Sequence, residues 1–388
     1  MTQDNAPQDI ALYVHWPFCE RKCPYCDFNS HVTEAVDQAR WRAALLADLG
    51  HYAAETPGRR LTSVFFGGGT PSLMAPETVT DILAATAGHW AWDEAPEITL
   101  EANPSSAERG RFRAYRDAGV NRLSIGVQSF ENDALRFLGR LHDAAQADDA
   151  VAAAREIFTR VSFDMIYARP GQDAASWRRE LSEALQRAGE HLSLYQLTIE
   201  PGTAFFRDAV DTADEDASIA MYEITQDAMA AAGLPAYEIS NHARPGAESR
   251  HNLTYWRGDD YIGIGPGAHG RLTTDVGFVA PHQISDPARW LAAVEAKGHG
   301  TAKRRPLSAA ERAEEMVMTG LRLNAGLDLI RLRRKTGLEI AGIIAPERQE
   351  KLIETGFITV GDGRMQVTAD GRLRLNSVLA HLLAPIDD

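Results

Sequence analysis

The feature that most constrains this chain is a strand–helix alternation repeated six times in its first 240 residues. Apolar, strand-like runs cover 11–16 (ALYVHW), 61–66 (LTSVFF), 97–101 (EITLE), 121–128 (NRLSIGVQ), 161–167 (VSFDMIY) and 191–199 (HLSLYQLTI). Segments of helical composition separate them: 34–55, with Leu45, Leu46 and Leu49 on one side, one from about Pro76, then 106–118, 131–138 with 143–159, and 173–188. A further helix at about 215–232 precedes Ala236–Ile239. Parallel strands need long connections, and helices are the usual ones, so the pattern predicts an α/β parallel sheet. It does not separate an open doubly wound sheet from a curved barrel. Each strand stops in polar or glycine-rich residues, and in a barrel chemistry gathers at those ends.

The loop after the first strand, Leu12 to Ser30, holds all three cysteines: Cys19, Cys23 and Cys26, spaced C-x3-C-x2-C. Three thiols cannot pair without one left over, and the chain shows no secretory context. Thiolates suit soft metals. Structural zinc wants four closed ligands, which His15 or His31 can complete as a Cys3His site. A 4Fe-4S cube held by three cysteines leaves one iron open to a small molecule.

Other polar residues sit at successive strand ends. Gly67-Gly68-Gly69-Thr70-Pro71 either admits a ligand against bare backbone or makes a tight turn for packing. Glu101 can accept two hydroxyls or cap a helix; Gln128 is a binding amide or a loop hydrogen bond. Arg140, in LGRLH, pairs with a carboxylate in a site or in a surface salt bridge. Asp164 lies inside an apolar strand, where a carboxylate needs a partner or a functional reason.

With aromatic Tyr25 just before Cys26, the cysteine spacing resembles the signature of radical S-adenosylmethionine (SAM) enzymes. That resemblance implies a partial (β/α)6 barrel and a cluster whose open iron chelates SAM, from which an electron generates a 5′-deoxyadenosyl radical. It further implies SAM contacts from Gly68, Gly69 and Thr70 at the methionyl end, from Glu101 at the ribose, and from Gln128, Arg140 and Asp164, with Tyr13 and Tyr25 flanking cluster and cofactor. Within the superfamily, YVHWPFCERKCPYCDF, FFGGGTPSLM, EANP, NRLSIGVQSF, LGRLH, FDMIYARPGQ and YQLTIEPGT resemble the oxygen-independent coproporphyrinogen oxidase group. The true oxidases carry a fourth cysteine two residues past the third. Here Phe28 stands there, which puts decarboxylation in doubt, and Cys19 comes almost at the start. His251-Asn252-Leu253-Thr254-Tyr255-Trp256 instead resembles the HNxxYW motif of HemW-type heme chaperones. The resemblance implies heme binding at His251, Asn252, Tyr255 and Trp256. Imidazole is an ordinary axial ligand and Tyr and Trp offer flat apolar faces. Without the motif, His251 reads as a core-edge histidine among aromatics. The glycine run GIGPGAH at 263–269 is too loose for a dinucleotide fingerprint and is expected to approach the barrel mouth.

From Leu307 the texture changes: a long helix over 308–323, shorter ones near 327–336 and 346–355, a hairpin of 357–360 and 364–367 about Asp362-Gly363, and a last helix from Asp370. This reads as a C-terminal winged-helix-like α+β domain. The expected division is a barrel over 1–240, a connecting segment with the HNLTYW motif over 241–306, and the C-terminal domain over 307–388. Arg331, Arg333, Arg334 and Lys335 read as a solvated helix face rather than a DNA contact. The net charge of −14 disfavours nucleic acid. No apolar run reaches a membrane span, and the polar start is unlike a signal peptide. The expected protein is cytoplasmic and able to associate peripherally with the membrane. Its expected role is to carry heme to acceptors such as respiratory enzymes, with a homodimer open to it; radical decarboxylation of coproporphyrinogen III is the alternative.

Overall fold

The structure is a computed structural model describing residues 8–33 and 35–384. Residues 1–7 of the polar start read above lie outside it.

Six strands lie side by side in chain order, all parallel: β1 (Asp9–Trp16), β2 (Arg60–Gly68), β3 (Ala91–Ala102), β4 (Arg122–Gln128), β5 (Arg160–Tyr167) and β6 (His191–Gln196). Helices α1 (Gln38–Glu55), α2 (Pro76–His89), α3 (Ala144–Ile157), α4 (Ala174–Arg187) and α5 (Glu215–Ala231) cross between and follow them. The first helix starts at 38 rather than 34 because Asp37 caps it, accepting from the Arg40 N–H. The strand period of two divides β1. Leu12, Val14 and Trp16 enter the main apolar core, where Trp16 meets Trp41 of α1, while Tyr13 and His15 touch one another on the other face.

Two further strands widen the sheet to eight. The chain turns through Ala236, which bridges His242, into β7 (Asn241–Ala243), antiparallel to β6, so Ala236–Ile239 is not itself a strand. After α6 (Arg250–Trp256), β8 (Tyr261–Ile264) adds in parallel to the outer edge of β1. The glycine run that follows approaches the cysteine loop. A Cβ at Gly265 would sit 2.3 Å from the His15 carbonyl oxygen, and one at Gly267 2.6 Å from Asn29 Nδ2. A small antiparallel sheet follows, β9 (Leu272–Thr274), β10 (Gly277–Gln283) and β11 (Thr301–Leu307), with α7 (Pro287–Lys297) stacking Trp290 on Trp41.

The C-terminal part has its own core about Met316, Leu332, Met365 and Val378. It comprises α8 (Ala309–Gly320), β12 (Leu327–Asp328), α9 (Leu329–Thr336), α10 (Pro346–Glu354), the hairpin β13 (Ile358–Gly361) and β14 (Arg364–Val367), and α11 (Leu375–Leu382). The hairpin turn is at Asp362-Gly363, both with positive φ, as a tight primed turn requires. The basic stretch is only partly a solvated face. Arg331 and Lys335, one turn apart, pair with Asp259 beyond α6, and Lys335 Nζ also donates 2.8 Å to the Gly258 carbonyl, whereas exposed Arg333 pairs with Glu339.

Candidate cluster and cofactor site

The cysteine loop leaves β1 over the C-terminal end of the sheet and closes on itself where Phe18–Cys19 pairs with His31–Val32. All three cysteines are free; Cys19 is buried and the other two half-buried. Each sulfur has a polar neighbour: Thr70 Oγ1 donates to Cys19 at 3.4 Å, Arg140 Nη1 to Cys23 at 3.3 Å, and Ser30 Oγ lies 3.9 Å from Cys26. Burial pushes the Cys19 and Cys26 thiols up. The loop after β2 lies directly on this one. Gly69 N–H donates to the Trp16 carbonyl and Thr70 N–H to that of Phe18. A Cβ at Gly69 would sit 2.7 Å from the Phe18 oxygen and 3.0 Å from Cys19 Sγ. These glycines therefore serve first to let two loops touch.

Among the described residues no three His, Cys, Asp or Glu side chains converge as ligands of one metal ion. His15 is engaged at both nitrogens, by Tyr13 OH and the Asn29 carbonyl, and His31 by Asn29 Oδ1. Both histidines of the Cys3His alternative are thus committed to hydrogen bonds. A cluster, whose irons occupy separate corners, does not need three sulfurs on one point.

Beside the thiols a cavity of about 400 Å³ opens toward the strand ends. Its wall brings together Cys19, Cys23, Cys26, Tyr25, Gly68, Gly69, Thr70, Glu101, Gln128, Arg140 and Asp164. Tyr13 departs from expectation: it is not on this wall. The pleat puts it one layer down, where its hydroxyl meets His15 Nδ1 at 3.1 Å and its ring stacks near Phe65. Asn103, Ser124, Tyr195, Thr198 and Glu200 join the wall without having been singled out. They lie in or beside the strand-end motifs, so position was the signal that could have found them.

The strand-end wall of the cavity carries two desolvated carboxyls. Burial, then the neighbouring Asp164, pushes Glu101 up to about 8, with the Gly68 N–H 3.3 Å away as its backbone partner. Burial raises Asp164 to about 6. Gln128 holds a positive φ of 70°, and its buried Oε1 has no partner. Arg140 gives Nη2 to Asn103 Oδ1 and the Gly126 carbonyl, leaving a buried Nε without a partner. Desolvated carboxyls and an orphaned carbonyl oxygen suit a cation that also donates hydroxyls. SAM is such a molecule, with a sulfonium, an ammonium and two ribose hydroxyls.

The HNLTYW residues fall on two faces of α6. His251 is fully buried on the sheet side, with Nδ1 2.9 Å from Ser63 Oγ, Nε2 2.7 Å from Tyr255 OH, and its ring stacked on Phe65. Desolvation and Arg122 lower its pKa to about 3. Both nitrogens are therefore committed inside the fold. Asn252 neighbours Tyr237. Trp256, with Leu253 and Arg257, faces away from the sheet toward α8.

Comparison with known proteins settles the family. Residues 13–190 match the radical SAM superfamily and 307–374 the HemN C-terminal domain. The heme chaperone HemW of Escherichia coli is 37% identical over 97% of this chain and 98% of its own. The chain belongs to the HemW family of radical SAM proteins. The chain is also similar to the bovine mitochondrial radical S-adenosyl methionine domain-containing protein 1, at 39% identity over all of this chain and 90% of the bovine protein's length. The structure of E. coli coproporphyrinogen III oxidase, described as a radical SAM enzyme, superposes with a TM-score of 0.82 over 98% of this chain and 91% of that one. At 22% identity it shows the shared fold: the partial barrel and the α+β C-terminal part. Membership of the radical SAM family implies a 4Fe-4S cluster and SAM, and the thiols and acidic cavity fit both. No described helix is long and apolar enough to cross a membrane.

Proposed function

We propose that this HemW-family protein is a heme chaperone that binds heme and passes it to heme-requiring proteins such as respiratory enzymes. The observation that carries the reading is near full-length likeness to a heme chaperone at 37% identity, against 22% to the oxidase. Two features of the chain support it. Phe28 stands where the oxidases carry a fourth cysteine; its side chain is 60% exposed at the cavity mouth. The cavity wall also sets Arg21, Lys22 and Arg140 against Asp27, Glu101, Asp164 and Glu200, and Arg140 is spent on Cys23, Asn103 and Gly126. Such a wall is a poor host for the four carboxylates of coproporphyrinogen.

In this reading Cys19, Cys23 and Cys26 hold the cluster. Gly68, Gly69 and Thr70 frame the methionyl end of SAM, Glu101 accepts the ribose hydroxyls, and Gln128, Arg140, Asp164 and Tyr25 complete the wall. When bound, the cluster supplies an open iron and an electron. The chain's own residues orient the cofactor. Heme is cargo, held at the HNLTYW helix. With both His251 nitrogens bonded inside the fold, an iron bond through His251 requires Tyr255 or Ser63 to release it, while Trp256 lies on the opposite face of the helix, toward α8. The functional division is the barrel over 1–240, the motif segment over 241–306 and the C-terminal domain over 307–388. The protein acts in the cytoplasm, at times at the membrane surface, and as a homodimer.

The test is anaerobic: protein reconstituted with iron and sulfide, then given SAM, reductant and either heme or coproporphyrinogen III. A stable Soret band with no protoporphyrinogen formed supports the chaperone. Decarboxylation without heme uptake refutes it.

A further inference from the structure

A second cavity, about 480 Å³, lies between α6 and the C-terminal part. Its apolar lining comes from Leu253 and Trp256 of α6 and from Met316 and Leu323 at α8. Its charge comes from Arg257, Arg331 and Arg364, with Glu248 and Asp328 as the wall's acids. The acids are occupied: Glu248 accepts the Gly246 N–H, and Asp328 caps α9 through Arg331 N and lies 3.7 Å from Arg364. Of the cations, Arg331 pairs with Asp259 and Arg364 with Asp328. Among the described residues the Arg257 guanidinium has no hydrogen bond or ion pair. The Nε of Arg331 and the indole Nε1 of Trp256 are buried with no acceptor. Two buried donors in one cavity thus lack partners, with the exposed Arg257 guanidinium beside them under the charges of Asp259 and Glu248, next to an aromatic ring and apolar side chains. A native fold rarely leaves such groups unmatched unless something else supplies the acceptor. The volume is that of an ordinary small-molecule site.

We propose that this cavity seats the carboxylate edge of a flat, largely apolar organic acid, with Arg257 as its ion partner and the Trp256 indole N–H as a second donor. The inference rests on the heme reading and deepens it. The cargo's propionates enter here and its ring lies along the outer face of α6. An arginine fork matches a carboxylate in shape as well as charge. Desolvation and the nearby Arg331 hold the Arg257 pKa below its ordinary value, a cost that a bound anion offsets. The site joins α6 to the C-terminal part, so occupancy ties the two together.

The experiment compares heme with heme dimethyl ester, which keeps the ring and iron and lacks the charges. Both are titrated into the full-length reconstituted protein, followed by Soret absorbance. The wild type is expected to bind heme about tenfold more tightly than the ester, as loss of a charged hydrogen-bonded contact implies. Arg257→Leu is expected to lose about that factor for heme and nothing for the ester, and Trp256→Phe to lose less. The heme-to-ester ratio of the wild type needs no variant to fold, so it stands if Arg257→Leu does not. Equal affinities in the wild type, or an unchanged ratio in Arg257→Leu, overturn the site and leave the chaperone intact. No heme binding by the wild type overturns both.

Discussion

Replacing Glu101 with glutamine should strengthen the cofactor-free protein while weakening its hold on SAM. Burial raises the Glu101 carboxyl from 4.5 to about 8. A carboxyl that holds its proton more tightly folded than unfolded favours the fold at low pH. That advantage is complete below about 4.5 and is lost as pH rises toward 8. At about 1.4 kcal/mol per pH unit, the span from 4.5 to about 8 sets an upper bound of roughly 5 kcal/mol on the cost of ionising Glu101 in the fold. Water entering the cavity mouth lowers this, and about 2–3 kcal/mol is a working figure. Glu101→Gln removes the charge and keeps the shape. Urea unfolding of cofactor-free protein at pH 5, 6, 7 and 8 should show the variant gaining stability over the wild type, with a gap that widens with pH. Titration with SAM at pH 8 should show the opposite effect, an affinity about tenfold lower, because ribose hydroxyls lose a charged acceptor. A variant less stable than the wild type at pH 8, or a gap flat across this range, would refute the account of the cavity as a desolvated acidic cradle.

Gly69→Ala sets a methyl against the Phe18 oxygen and Cys19 sulfur. It should cost about 1–3 kcal/mol and sharply lower iron and sulfide content after reconstitution, while circular dichroism stays that of the wild type. Asp48 is fully buried in α1 and accepts from Gly265 N, Gly300 N and Gln283 Nε2. Asp48→Ala should therefore destabilise by about 2–3 kcal/mol in urea unfolding, having stranded buried donors. Lys335→Ala removes a half-buried partner of Asp259 and the Gly258 carbonyl. Limited proteolysis should then release the C-terminal part faster than in the wild type, at a stability cost of about 1 kcal/mol.

The six parallel strands were legible because their apolar runs, such as LTSVFF and VSFDMIY, are continuous, as strands buried on both faces must be. The edge strands were not. Tyr261–Ile264 is four residues long, broken by Gly263, and defined by pairing with β1 some 250 residues earlier in the chain, which no local pattern reports. The cavity wall was read at strand ends and was found there, except Tyr13. The pleat turns that residue to the same face as His15 and one layer below the mouth, a matter of register that composition does not carry. The role of Gly69 as a contact between two loops needed the positions of Phe18 and Cys19. The HNLTYW run was legible as a motif but not as two helix faces. His251 and Tyr255, four apart, point one way and Leu253, Trp256 and Arg257 another, as the helical repeat dictates.

The most direct test of the chaperone reading is transfer itself. Reconstituted protein loaded with heme is separated from free heme and mixed with an apo heme protein, and the acceptor's Soret band is followed with and without SAM. The account predicts that heme leaves this chain for the acceptor faster than from a non-specific carrier such as albumin at equal loading, with porphyrin and SAM chemically unchanged. Retention of the heme, or transfer no faster than from albumin, would contradict it.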